Sequence, residues 1–305
     1  MSSISQIQKS ISFGNLALLA KQIVEGYIVG LHKSPFHGFS AEFAEHKRYN
    51  QGESTKHIDW KLFAKTDKLY TKKFEEETNL RCHLIIDNSA SMHYPDGNSL
   101  DLKKLNKISF SVIASAILMQ ILKKQRDAVG LSVYSDNYEY YAPEKTSERH
   151  HKLLLYQLEQ LIQQKSTAKT DTYGVLHEIA KNIKRRSLVI LFTDMFQPEV
   201  NQEKLFDALQ HLKFNKHDVI LFHVYDKTKE KAFNFENTAS QFVDVETGEK
   251  INLFSEQIQD AYQKKMESFH KELRTNTLKY KINYIPVAIQ DDFEQIITGF
   301  LLNRN

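Results

Sequence analysis

A chain of 305 residues with 41% hydrophobic and 26% charged residues has the apolar content to bury one large domain, or one domain and a smaller appendage, which excludes a disordered chain. Its 41 basic and 38 acidic residues leave a net charge of +3, too balanced for a dedicated nucleic-acid binder. The single cysteine, Cys82, excludes an internal disulfide and fits a reducing compartment.

In chain order, Ile7 to Leu31 reads as one amphipathic helix interrupted by Gly14, Gly26 and Gly30. Its most apolar stretch, Asn15 to Ala20, is cut off by Lys21 and Gln22. No run approaches the roughly 18 apolar residues of a membrane span, so no span and a cytoplasmic protein are expected. Residues 32–80 are rich in His, Lys and aromatic side chains without βα alternation. The basic neighbourhood Lys61, Lys65, Lys68, Lys72 and Lys73 is followed at once by Glu75, Glu76 and Glu77, a self-compensating solvated surface rather than a phosphate track.

From Cys82 onward strands and helices alternate. Leu84 to Ile86, Leu188 to Phe192 and Val219 to Val224 are continuous apolar runs, as expected of strands covered on both faces. Val129 to Tyr134 reads as a strand with Tyr138 to Ala142 beside it, and Ile282 to Val287 as the last strand. Helical spacing marks Leu102 to Lys123, Leu153 to Ile162, Val175 to Ile183, Leu205 to Leu212, Phe254 to Leu273 and Phe293 to Leu302. Thr247-Gly248, within Phe242 to Leu253, suggests a hairpin turn. This order predicts an α/β fold: a doubly wound, mostly parallel sheet with helices on both faces over residues 81–305, and a smaller N-terminal unit over 1–80 packed on it. In such sheets the working residues lie outside the carboxyl ends of the strands.

Oxygen donors gather on three such loops: Asp87, Ser89 and Ser91 after the first buried strand; Thr170, Asp171 and Thr172; and Asp194, preceded by Thr193. Hydroxyls suit a hard ion such as Mg²⁺, with Mn²⁺ as the alternative, better than zinc. A strand-ending Asp followed by Ser is also a common turn or helix cap. Thr172 is an alternative to Thr170, and Asp194 has a capping reading of its own. Zinc spacings, a G-x-S-x-G elbow, a phosphate loop and a dinucleotide fingerprint are all missing from the sequence. A phosphatase would want a second Asp where Ser89 stands, and an alcohol there cannot protonate a leaving group.

The pattern Asp87-x-Ser89-x-Ser91, a later Thr170 and then Asp194 resembles the metal-ion-dependent adhesion site of von Willebrand factor A domains over about residues 82–305. Upstream, "RYNQGESTKHIDW" (Arg48 to Trp60) resembles the hallmark of the bacterial domain-of-unknown-function fifty-eight family. Arg48, Tyr49, Gly52, Ile58, Asp59 and Trp60 match it, Glu53 stands for the usual Asp, and Lys56 for the usual Arg. Many members carry two transmembrane helices before this segment and are encoded beside MoxR-type AAA+ ATPases. The resemblance therefore implies a non-enzymatic adaptor. Mg²⁺ held by Asp87, Ser89, Ser91, Thr170 and Asp194 would take an Asp or Glu from a protein partner, a MoxR-type AAA+ ATPase being the candidate. The alternatives are a Mg²⁺-dependent phosphate-ester hydrolase with Asp87 as nucleophile, and a structural adaptor whose metal site is empty.

Overall fold

A computed structural model describes residues 16–31, 46–48, 60–66, 68–72, 80–163, 172–195, 202–235, 239–244 and 248–302. By contacts the chain divides into two units, Met1–Val29 with Leu80–Asn305, and Gly30–Asn79. The expected boundary near residue 80 appears, but the N-terminal helix groups with the sheet as far as Val29. The reason is its apolar face: Leu16, Leu19, Ala20 and Val24 are buried in the same core as the sheet.

Within the smaller unit, β1 (His46–Arg48) pairs antiparallel with β2 (Tyr70–Lys72), and α2 (Trp60–Thr66) lies between them in sequence. Arg48 closes β1 and Trp60 opens α2; the hallmark residues from Tyr49 to Asp59 lie outside the described residues.

The larger unit begins with α1 (Leu16–Leu31) and is built on a six-stranded sheet in the order β10-β7-β6-β3-β4-β5. Its strands are β3 (Arg81–Asp87), β4 (Ala128–Tyr134), β5 (Tyr138–Lys145), β6 (Leu188–Thr193), β7 (Asp218–Tyr225) and β10 (Asn283–Ala288). All pairings are parallel except β4 with β5, the edge hairpin. The von Willebrand factor A-like, doubly wound architecture expected from the sequence is the one observed. A separate hairpin joins β8 (Ala239–Val243) and β9 (Lys250–Phe254) through Gly248, whose φ of +74° suits a residue without a Cβ.

Alternation along each strand splits the core in two. Leu84 and Ile86, with Val129, Leu131, Phe192 and Phe222, face α1, α3 (Lys107–Lys124), α4 (Glu148–Gln163) and α8 (Glu294–Leu302). Ile85, with Val189, Leu191 and Leu221, faces α5 (Thr172–Asn182), α6 (Gln202–Phe214) and α7 (Ser255–Lys279). Helix α3 is buried along nearly its whole length, from Lys107 to Leu122. It starts later than the expected Leu102 because Asn106 caps it, accepting the Ser109 N–H at 2.9 Å.

The topology fixes where a site can form. From β3 the chain winds one way to β4 and β5, then returns to place β6 on the other side of β3. Loops leaving β3 and β6 therefore diverge and open a crevice at their carboxyl ends. Asp87 ends β3, and Asp194 directly follows β6.

Within the sheet lies a polar staple that sequence reading did not assemble. His83 Nδ1 lies 2.7 Å from Glu144 Oε1, and His83 Nε2 lies 2.6 Å from Ser132 Oγ. The order Ser–His–Glu is that of a hydrolase relay. Here all three side chains are buried within β4, β3 and β5, so no substrate carbonyl can reach Ser132. Burial pushes the Glu144 carboxyl up, but His83 more than reverses this and keeps it below its ordinary range. Gly130 makes room for the ring: a Cβ there would lie 2.6 Å from His83 Nδ1 and 2.8 Å from the Ala142 carbonyl oxygen. Gly130→Ala is expected to cost on the order of 2 kcal/mol by overpacking, read as a lower urea midpoint at unchanged slope.

Candidate functional site

The sequence-expected residues Asp87, Ser89, Ser91 and Asp194 meet at the crevice between β3 and β6. Thr170 lies outside the described residues; Thr172 opens α5. The turn after β3 leads into a short 3-10 helix, Ala90–His93, which brings Ser91 back over Ser89. Their hydroxyl oxygens are 3.1 Å apart, and both side chains are buried.

Asp87 is locked in place. Its Oδ1 accepts the Ser89 N–H at 2.9 Å, and its Oδ2 accepts the Thr193 hydroxyl at 2.7 Å. Thr193 Oγ1 in turn accepts the Met195 N–H at 3.1 Å, so one hydroxyl ties the β3 and β6 loops together. The hydrolase alternative needs Asp87 as a free nucleophile. A carboxylate 1% exposed with both oxygens engaged is not poised for in-line attack.

The surrounding loop is held by polar contacts. The Asn88 side chain donates to Glu139 at 2.8 Å, and His93 spans Asn88 and Asn98 with its two ring nitrogens. Burial lowers His93, which serves as a strut.

Sequence reading missed a cation. Lys107, the first residue of α3, is buried, and its ammonium donates to Asp194 Oδ2 at 2.8 Å and also to Glu230 Oε1. Glu230 sits on the π turn Lys227–Lys231 that follows β7. Its other oxygen accepts the Asp226 N–H at 2.7 Å, while Asp226 caps the turn through the Thr228 and Lys229 N–H groups. Only a lysine at a helix start, against the helix dipole, hints at this in the sequence.

The charges do not balance. Asp194 and Glu230 hold one ammonium, and the charge of Asp194 also bears on Asp87. Desolvation first, and then the Asp194 charge, push Asp87 up to about 7. Burial also raises Glu230, with Lys107 pulling the other way and Asp194 adding to the rise. Burial draws Lys107 down, but Asp194 and Glu230 reverse this and carry it above its ordinary range. A pocket holding this excess of buried negative charge has use for a further cation.

The donors fit a hard divalent ion. Adjacent ligands of an octahedral ion at about 2.1 Å lie roughly 3 Å apart, close to the 3.1 Å between the Ser89 and Ser91 hydroxyl oxygens. Ionised carboxylates keep lone pairs beyond those already used, so Asp87 and Asp194 can take water bound to such an ion. Among the described residues, no group of three or more His, Cys, Asp or Glu side chains is arranged to hold a metal.

Comparison with known proteins gives a family and several more distant similarities. The model of a family described as "Protein of unknown function DUF58" matches residues 45–272. The uncharacterized protein Rv1480 of Mycobacterium tuberculosis is 21% identical over 211 residues, which is 69% of this chain and 63% of that protein. The match thus spans less than two thirds of the relative's length. Among solved structures, BatB from Bacteroides thetaiotaomicron is 17% identical with a TM-score of 0.43, covering 74% of this chain and 98% of that one. An aerotolerance-related membrane protein from Bacteroides fragilis is 16% identical with a TM-score of 0.42, covering 74% and 97%. The SpRpn10 VWA domain is 13% identical with a TM-score of 0.37, covering 72% and 93%.

These neighbours correct one expectation. One of them is named a membrane protein, so the cytoplasmic location expected from the sequence does not stand. The physical reason is that a folded α/β domain buries the same core whether it is free or tethered. No helix among the described residues is long and apolar enough to cross a membrane, and that does not decide where the domain is held.

Proposed function

We propose that this chain, which belongs to the family described as "Protein of unknown function DUF58", is a metal-dependent protein-interaction module that captures an acidic side chain of a partner. The observation that carries this reading is the Ser89–Ser91 hydroxyl pair, 3.1 Å apart beside two buried carboxylates at the sheet's switch point. Ser89 and Ser91 would hold Mg²⁺ or Mn²⁺ directly. Asp87 and Asp194 would bind it directly or through its water, and Thr170 is the remaining donor of the set. When bound, the ion supplies a positive centre short of anionic neighbours, which attracts a carboxylate. This chain's part is to pre-orient the hydroxyls, exclude bulk water and keep Asp87 fixed through Thr193.

The partner class in this reading is a protein that presents Asp or Glu, with a MoxR-type AAA+ ATPase as the candidate from the family resemblance. No bond is made or broken in this role. At Mg²⁺ concentrations about a hundred times Kd, stabilisation by about 2.7 kcal/mol is expected from binding to the native state alone. Ser89→Ala with Ser91→Ala should remove it. A melting temperature that ignores Mg²⁺ and chelator alike would overturn the reading and favour a structural adaptor. Capture of the ATPase by wild-type bait, lost with chelator and with Asp87→Ala, tests the partner.

A further inference from the structure

Lys107 stands where an ammonium is hardest to keep. It is buried, it opens a helix against the dipole, and it sits in the crevice proposed for a divalent ion. It is held by one carboxylate of that crevice, Asp194, and by Glu230 from the turn after β7. That turn is also tied to other elements, because the Lys227 N–H donates to Gln290 Oε1 at 3.1 Å and the Ala232 carbonyl accepts from Gln259 and Gln263 of α7. Asp226 caps it, and its backbone bonds run from Glu230 and Lys231 to the Asp226 carbonyl and from Ala232 to the Lys227 carbonyl. Glu230 thus connects a separate surface turn to the crevice through a single side chain.

We propose that Lys107 is a built-in competitor for the divalent ion: its ammonium holds Asp194 until the ion takes that carboxylate, and loading then frees the turn Lys227–Lys231 from its Glu230 anchor. The inference rests on the reading of the crevice as a Mg²⁺ site. A divalent ion and an ammonium drawn to the same carboxylate repel each other in a desolvated pocket, so loading weakens the Lys107–Asp194 contact. Lys107 has a flexible four-carbon stem and can swing away, taking Glu230 with it or dropping it. Either movement loosens the turn, so metal loading at the β3 end is reported at a surface some distance along the sheet edge. A partner that docks on the loaded crevice would then meet a remodelled rim.

Hydrogen exchange of the wild-type chain with and without Mg²⁺ tests this without any substitution. Residues 88–94 are expected to gain protection, and amides of Lys227–Ala232 to exchange about tenfold faster, a size usual for coupled sites. A companion variant, Lys107→Met with Glu230→Gln, has the same net charge as the wild type. Its Mn²⁺ affinity, read by electron paramagnetic resonance, should be about tenfold tighter. Protection at 88–94 with an unaltered turn overturns the competition and leaves the metal site standing. So does equal Mn²⁺ affinity in the two proteins when both lose it on Ser89→Ala. No Mg²⁺-dependent change at 88–94 overturns both readings.

Discussion

Lys107→Ala is expected to lose roughly 3–5 kcal/mol of stability in the presence of chelator, the usual cost of breaking a buried ion pair from one side. The loss comes from what remains behind. Asp194 and Glu230 stay behind without the ammonium that joined them, and the charge of Asp194 still bears on Asp87. The Glu230→Ala partner variant removes one of these orphaned charges, so the double variant should be more stable than the sum of the two single losses predicts. Urea midpoints for wild type, both single variants and the double variant close a double-mutant cycle, and its coupling energy isolates the pair. A Lys107→Ala loss under about 1 kcal/mol, no more than an exposed pair contributes, would mean that water reaches the crevice and that the ion trio has no structural weight. Mg²⁺ should restore part of the loss in Lys107→Ala, because the ion then supplies the positive charge that the side chain no longer does.

The parts of this crevice that could be read from the sequence are those fixed by local spacing. Asp87, Ser89 and Ser91 are two residues apart at the end of an apolar run, and Asp194 ends another. Strand-end position and the parallel order bring them together without any knowledge of side-chain packing. Lys107 and Glu230 are 123 residues apart, and each looks like an ordinary solvated charge in its own neighbourhood. Only the return of β7 alongside β6 brings the π turn over the start of α3. The same applies to His83, Ser132 and Glu144, which sit on three strands and meet because of the β3–β4–β5 register. The N-terminal helix was recognisable as amphipathic, but the sequence did not say which core takes its apolar face. Leu16, Leu19 and Val24 complete the sheet core, so a division between units falls within the helix's last turn as well as before β3.

Asp87→Asn is expected to stabilise the metal-free protein at neutral and alkaline pH while abolishing its response to Mg²⁺. In the unfolded chain this carboxyl titrates near its ordinary value of 3.8; in the folded chain it is pushed up to about 7, by burial first and by Asp194 second. The folded state therefore holds the proton more tightly than the unfolded one. Its contribution to stability is complete below about pH 3.8, declines as pH rises through the interval, and is gone above about 7. The total decline is on the order of 4 kcal/mol if the group is counted alone, since each tenfold gain in proton affinity is worth about 1.4 kcal/mol. Asparagine keeps the shape. Its carbonyl can still accept the Ser89 N–H, and its amide can donate to Thr193 Oγ1, which reverses one hydrogen bond and takes from the buried Thr193 hydroxyl its carboxylate acceptor, a cost of about 1–3 kcal/mol set against the gain. Denaturation in urea with chelator, repeated between about pH 4 and pH 8, should show wild-type stability falling across that range relative to Asp87→Asn. A wild-type profile parallel to that of the variant would show that the β3 carboxylate is not strained by its burial. Under the proposed function, the gain in Asp87→Asn would be the stability that the native residue gives up in order to present charge to an ion, which is the usual relation between a binding site and the fold that carries it.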